Sequence, residues 1–267
     1  EARALYGDKT PDVLFAHGSV SATRLAFGMG IPIVHANDTI INTPTTRLTV
    51  SLLNRLITPA CIPKKYWIHR GIKEKRITQY DGVEEASYIN LPETQPPASR
   101  SKHRDVPVVL VREVEHKSSY VRAEDTKTEW IIEQLYKHTP ETPIIYIPRY
   151  ENDAKAQRNK QMPMNIPQLV KQVDLVVGGG GTICRESALA GTPTISLHIN
   201  DHIARYLRRK GFPIFYTPKP KQALELALKI IKNPDKYRVD THSMTKQLET
   251  PIPHIVNALK QLAPSRS

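Results

Sequence analysis

The chain has 267 residues, 39% of them hydrophobic, and its 38 Lys and Arg against 26 Asp and Glu give a formal net charge of +12. Its two cysteines, Cys61 and Cys184, lie far apart, which excludes a disulfide framework or a cysteine-built zinc site and points to a reducing cytoplasm. No apolar run approaches the ~20 residues of a membrane-spanning helix, while the basic excess raises nucleic acid, anionic lipid head groups and phosphorylated metabolites as partner classes.

From the amino end, short β-branched runs over 13–16, 31–35 and 55–58 read as buried strands, and 21–29 and 45–53 as helices between them. Residues 91–101, rich in Pro and Ser and nearly without apolar side chains, read as a linker. A second alternating series follows. It has strands over 108–111, 144–147, 175–177, 194–197 and 214–216, and helices over 126–138, 182–190, 201–210 and 221–232, with a polar helix near 151–158. A last helix over 255–262 is expected to pack back across the domain seam. Strands alternating with helices predict an α/β chain of two doubly wound, Rossmann-type domains, over 1–95 and 96–267. About 90 residues before the linker fall short of the roughly 100–200 of an average domain. The first domain is therefore expected to be incomplete at its amino end.

The sharpest local feature runs from Val173 to Pro193. A buried strand enters Gly178, Gly179, Gly180 and Gly181, and Thr182 opens a helix. Such a loop lets the backbone approach a ligand closely while the helix N-terminus presents unpaired N–H groups, an arrangement that favours phosphate. No Gly-Lys-Ser/Thr follows, and position 183 is Ile, so neither a P-loop nor a Gly-x-Gly-x-x-Gly fingerprint is present. The bland alternative is a tight turn with glycines chosen for packing. Glu186, one turn in, is either a carboxylate complementing the helix dipole or an acceptor for ribose hydroxyls behind a diphosphate.

The stretch from Asp174 to Pro193 resembles the carboxyl-terminal motif of the GT-B superfamily, in which a glycine loop and a Glu hold a nucleotide sugar. Pro11-Asp12-Val13-Leu14-Phe15-Ala16-His17-Gly18-Ser19, Gly30-Ile31-Pro32-Ile33-Val34-His35, Arg47-Leu48-Thr49 and Ile57-Thr58-Pro59 resemble the amino-terminal domain of non-hydrolysing UDP-N-acetylglucosamine 2-epimerases. Over nearly its whole length the chain is similar to an uncharacterised, largely archaeal GT-B-like family, through Arg112-Glu113, Tyr80-Asp81-Gly82 and Gly191-Thr192-Pro193. The resemblance implies a GT-B-like fold with a UDP-linked sugar as substrate rather than a bound cofactor. Gly178 through Gly181, Thr182 and Ser19 would contact it, and Glu186 would hold the ribose.

The departures bear on the chemistry. Where the epimerases have His-Gly-Asp and His-x-Glu, this chain has His17-Gly18-Ser19 and His35-Ala36-Asn37, with Asp38 one place later; Thr45-Thr46 replaces an acidic pair. Carbon-2 epimerisation needs positioned acids and bases, so it is the enzyme alternative. Glycosyl transfer is the leading expectation, because a diphosphate leaves once its charge is stabilised. Arg112 or Arg149, each at a strand end, would supply the cation, and His17, His35 or Asp38 the base for an unknown acceptor. A surface ion pair for either Arg, and a structural role for either His, remain the plain alternatives. His198, Asp201 and His202 are not expected to bind metal, Asp201 reading as a helix N-cap. Cys184 reads as a small packing residue. The cluster Lys64, Lys65, Arg70, Lys73, Lys75 and Arg76, with Tyr66-Trp67, carries the non-enzyme alternative, a module for an anionic membrane surface, nucleic acid being less expected.

Overall fold

A computed structural model describes residues 10–95, 105–114, 128–148, 165–197, 201–217 and 219–263. The polar helix expected near 151–158 lies outside the described residues. The fold is α/β, and every strand pair is parallel, so each strand must be followed by a crossover. Two compact units emerge, Glu1–Ser87 with Leu248–Ser267, and Tyr88–Gln247. Among the described residues, no helix is long and apolar enough to cross a membrane.

The first unit holds a sheet of β1 (Leu14–His17), β2 (Ile33–Ala36), β3 (Arg55–Pro59) and β4 (Ile77–Tyr80), side by side in chain order. Its crossovers are α1 (Val20–Gly28), α2 (Thr43–Thr49) and α3 (Lys64–Ile68). Successive strand residues point to opposite faces. Ile33, Leu56 and Ile77 therefore pack on one side with Val50, Leu53, Ile62 and Trp67, and Val34, Ile57 and Tyr80 on the other with Ala258. Ala258 belongs to α10 (Pro251–Leu262), the last helix of the chain. The chain returns to this unit through a bridge between Gly82 and Glu249, with Asp81 N–H donating to Glu249 Oε2 at 2.6 Å. A Cβ on Gly82 would stand 1.8 Å from the Glu249 carbonyl oxygen, which is why the third position of Tyr80-Asp81-Gly82 carries no side chain.

Strand β4 and helix α3 go beyond the elements read from the sequence. Ile-Thr-Gln-Tyr is too short and too polar to stand out as a buried run, and Gln79 sits in the sheet because its amide donates to the Ile62 carbonyl at 2.8 Å. Helix α3 lies inside the basic cluster. Trp67 is fully buried there, Arg70 donates to Thr46 and Thr43 hydroxyls at 3.2 Å each, and Arg76 donates to the Leu53 carbonyl at 3.0 Å. Part of the basic cluster is thus committed to holding the unit together.

The second unit is a five-stranded sheet of β5 (Val109–Arg112), β6 (Ile144–Ile147), β7 (Leu175–Gly178), β8 (Thr194–Ser196) and β9 (Ile214–Tyr216), ordered β6-β5-β7-β8-β9. The order reverses between β5 and β7, and open α/β sheets bind ligands outside the carboxyl ends of the strands at such a switch. Helices α4 (Thr128–His138) and α8 (Pro220–Lys232) cover one face, with Ile131, Leu135, Ala223, Ala227 and Ile230 against Val109, Val111, Val177 and Ile195. On the other face, α5 (Ile166–Gln172) places Val170 against Leu110 and Val176. Three further helices are α6 (Thr182–Leu189), α7 (His202–Arg209) and α9 (His242–Lys246).

Residues 88–95, on the first-domain side of the boundary drawn from composition, are tied into this second unit. Lys171 of α5 donates to the carbonyls of Ile89 and Thr94 at 2.7 and 3.0 Å, and Asn165 and Gln168 donate to that of Glu93 at 3.2 and 3.1 Å. A composition shift marks a polar segment but does not say which unit satisfies its backbone carbonyls.

Candidate functional site

In the second unit, the end of β7 lies beside the end of β5, with Gly178 in register with Arg112 at the switch point. The four glycines serve two purposes. A Cβ on Gly178 would come within 3.0 Å of Cys184 Sγ, and one on Gly179 within 2.9 Å of the Val114 Cα, so the first makes room for the helix that follows and the second lets the loop lie close on the chain leaving β5. Gly180 and Gly181 have φ of +84° and +76°, a region that L side chains rarely enter, and a Cβ on Gly181 would meet nothing. Gly181 is the N-cap of α6 without a side-chain cap, and both it and Thr182 are exposed. The first N–H groups of an eight-residue helix thus open to solvent at the switch point.

The residues around this loop are differently placed. Arg112 is half-buried, and its Nη1 donates to the Pro148 carbonyl at 2.6 Å, which fixes the guanidinium near the ends of β5 and β6. Arg149 lies outside the described residues, as does His198. Glu186 is 5% exposed, and its Oε1 accepts the Tyr88 hydroxyl hydrogen at 2.7 Å. Burial holds its carboxyl above the usual range, and the Tyr88 bond pulls it partly back. Tyr88 was not legible as a partner because 98 residues separate the two. Cys184 is fully buried and its thiol is pushed up to about 12 by that burial, which makes it a packing residue. Asp201 caps α7, its Oδ1 accepting from Ala204 N–H at 2.8 Å.

In the first unit, the carboxyl ends of the strands gather a different group. His17 ends β1, Asp38 follows β2, and Glu84 stands in a 3-10 turn, Glu84–Ser87, that comes after β4. The sheet is four strands wide, so the chain after β4 passes back over ~14 Å of strand ends to reach β1. His17 Nε2 lies 3.1 and 2.9 Å from the two Glu84 carboxylate oxygens. The Glu84 hydrogen bond, helped by the charges of Glu84 and Asp38, raises His17 to about 9 against the lowering effect of burial. At neutral pH it is an imidazolium able to give a proton. Glu84 was missed from sequence; a Glu84-Glu85 pair just past Tyr80-Asp81-Gly82 was the signal on offer.

One sequence expectation for this unit is corrected. His35 is fully buried, with Nε2 2.7 Å from Thr23 Oγ1 of α1 and its ring lowered to about 4 by burial. It is a neutral core histidine and not a base within reach of substrate. Ser19, exposed just past the end of β1, is the N-cap of α1, its hydroxyl accepting from Ala22 N–H at 3.3 Å.

The chain is similar to several known proteins. An uncharacterised protein of Methanocaldococcus jannaschii, MJ0665, is 27% identical over 206 residues, a match covering 73% of this chain and 59% of that protein. The chain thus spans less than two thirds of the length of that relative. Among solved structures, the UDP-GlcNAc 2-epimerase of Neisseria meningitidis bound to UDP-GlcNAc matches with a TM-score of 0.69 at 15% identity, over 97% of this chain and 79% of that one. A glycosyltransferase of kitacinnamycin matches with a TM-score of 0.55 at 12% identity, over 98% and 79%. The fold is therefore GT-B-like, of two parallel sheets each flanked by helices. Residues 2–263 match the model of a family described as protein of unknown function, DUF354, and the chain belongs to that family.

Proposed function

We propose that the protein binds a UDP-linked sugar through the glycine loop of its second unit and transfers the sugar to an acceptor, in a reducing cytoplasm. The observation that carries this reading is the exposed, uncapped N-terminus of α6 at the strand-order reversal, in register with Arg112. Helix N–H groups aimed at one point favour a diphosphate, and an adjacent guanidinium supports the charge that develops as it leaves. The two structural neighbours, an epimerase holding UDP-GlcNAc and a glycosyltransferase, support the ligand class.

Thermal-shift titration with UDP, UDP-GlcNAc, UDP-glucose, a GDP-sugar and an oligonucleotide tests the reading. A ligand held at a hundred times its Kd adds about 2.7 kcal/mol to stability. The expected result is a rise specific to uridine nucleotides that Glu186→Ala removes. A salt-sensitive response to any polyanion, indifferent to Glu186, overturns it in favour of a basic surface module.

One observation favours the epimerase reading: Asp38 and Glu84 stand together with His17 past the strand ends of a chain that has Ser19, Asn37 and Thr45-Thr46 where the epimerases have acids. Incorporation of solvent deuterium at carbon 2 of UDP-GlcNAc would favour it over transfer.

A further inference from the structure

Three side chains of the first unit, from three separate segments of chain, bring their ligating atoms together. His17, Asp38 and Glu84 each offer one such atom, all within 4.8 Å of one another. We infer that these three residues form a binding site for a divalent cation of the zinc and manganese class. The site goes beyond nucleotide-sugar binding and does not depend on it, since every residue in it belongs to the first unit.

The donor set fits that class. One imidazole and two carboxylates suit zinc, manganese or ferrous iron, whereas magnesium and calcium prefer an all-oxygen shell. The two carboxylates carry the double negative charge that a divalent ion balances, and the ion displaces the proton that His17 holds in its ion pair with Glu84. Ligands at about 2.1 Å from a tetrahedral metal stand about 3.4 Å apart, so the group has to close by little more than 1 Å. His17 and Glu84 stand a little closer than that, at 2.9 and 3.1 Å, so this pair has only to open by a few tenths of an ångström. The side chains of His17 and Glu84 are 53% and 24% exposed, which leaves open positions for water or substrate.

The surroundings orient the ligands as metal sites require. The His17 Nε2 faces both Glu84 carboxylate oxygens. Asp38 Oδ1 accepts the Thr39 hydroxyl hydrogen at 2.7 Å, and Asn37 Oδ1 accepts Thr39 N–H at 2.8 Å, so the turn that carries Asp38 is held at two points. Gly18 follows His17 at φ +66°, and this turns the chain away from the strand end while leaving His17 at its tip.

The test uses the whole chain, stripped with chelator and dialysed against zinc, manganese, cobalt or magnesium without nucleotide. The expected result is one equivalent of zinc, manganese or cobalt with magnesium much weaker, and about a tenfold or greater loss of affinity in each of His17→Ala, Asp38→Asn and Glu84→Gln. Glu74→Gln, at an exposed carboxylate paired with Lys64, should bind as the parent does. Because an alanine variant can fail to fold, His17→Cys with cobalt supplies a gained signal, a thiolate charge-transfer band that the parent lacks. Absence of stoichiometric binding by the parent, equal binding by the three variants, or cobalt-loaded His17→Cys without that band would overturn the site and leave a plain ion pair. None of these outcomes bears on uridine nucleotide binding, which is read separately.

Discussion

His35 carries a clear pH signature. The folded chain keeps its ring neutral down to about pH 4, whereas the unfolded chain takes up a proton near 6.5. Stability from this residue is therefore full above pH 6.5 and is lost as pH falls towards 4, by on the order of 3 kcal/mol. His35→Asn, measured by urea unfolding across that range, should flatten the acid limb; an unchanged limb would place the loss elsewhere. Gly191 makes a second prediction. Its φ is +78°, and a Cβ there would stand 2.0 Å from the Val239 carbonyl oxygen. Gly191→Ala should cost about 3 kcal/mol or more in denaturant unfolding, combining backbone strain with a clash against main chain that cannot step aside.

Among the elements, α7 shows how one side chain starts a helix. Asp201 accepts from Ala204 N–H at 2.8 Å and lies 3.3 Å from the Ser196 hydroxyl at the end of β8, joining strand end and helix start. Asp201→Ala should cost about 1 to 2 kcal/mol, read from the midpoint of urea unfolding at unchanged slope. The same helix could be placed from its sequence because cap and apolar pattern are both local. Strand β4 and helix α5 could not. Ile77–Tyr80 is held by its parallel partner β3, and Ile166–Gln172 by the sheet beneath it, contacts that a window of neighbouring residues does not contain.

On the scale of the whole molecule, the path of the chain decides stability. Residues 248–267 belong with 1–87, and Ala258, Ile255 and Leu259 of α10 cover Val34, Ile57 and Tyr80. Removing residues 248–267 should expose that apolar face and unfold the first unit while the sheet of β5 to β9 persists. Hydrogen exchange would show this as lost protection confined to β1 through β4.

The sequence by itself determined the α/β class, most strands, the glycine loop and the cap of α7, because each rests on local periodicity or on the chemistry of a few adjacent residues. The GT-B-like resemblance was legible for the same reason, in short motifs at strand ends. Only the tertiary structure decided that His35 is sealed in the core, that Tyr88 bonds Glu186, and that Glu84 comes round to meet His17 and Asp38. Those outcomes depend on which distant segments cross the same strand ends, and parallel sheets join their strands through crossovers whose length hides such neighbours from any local reading.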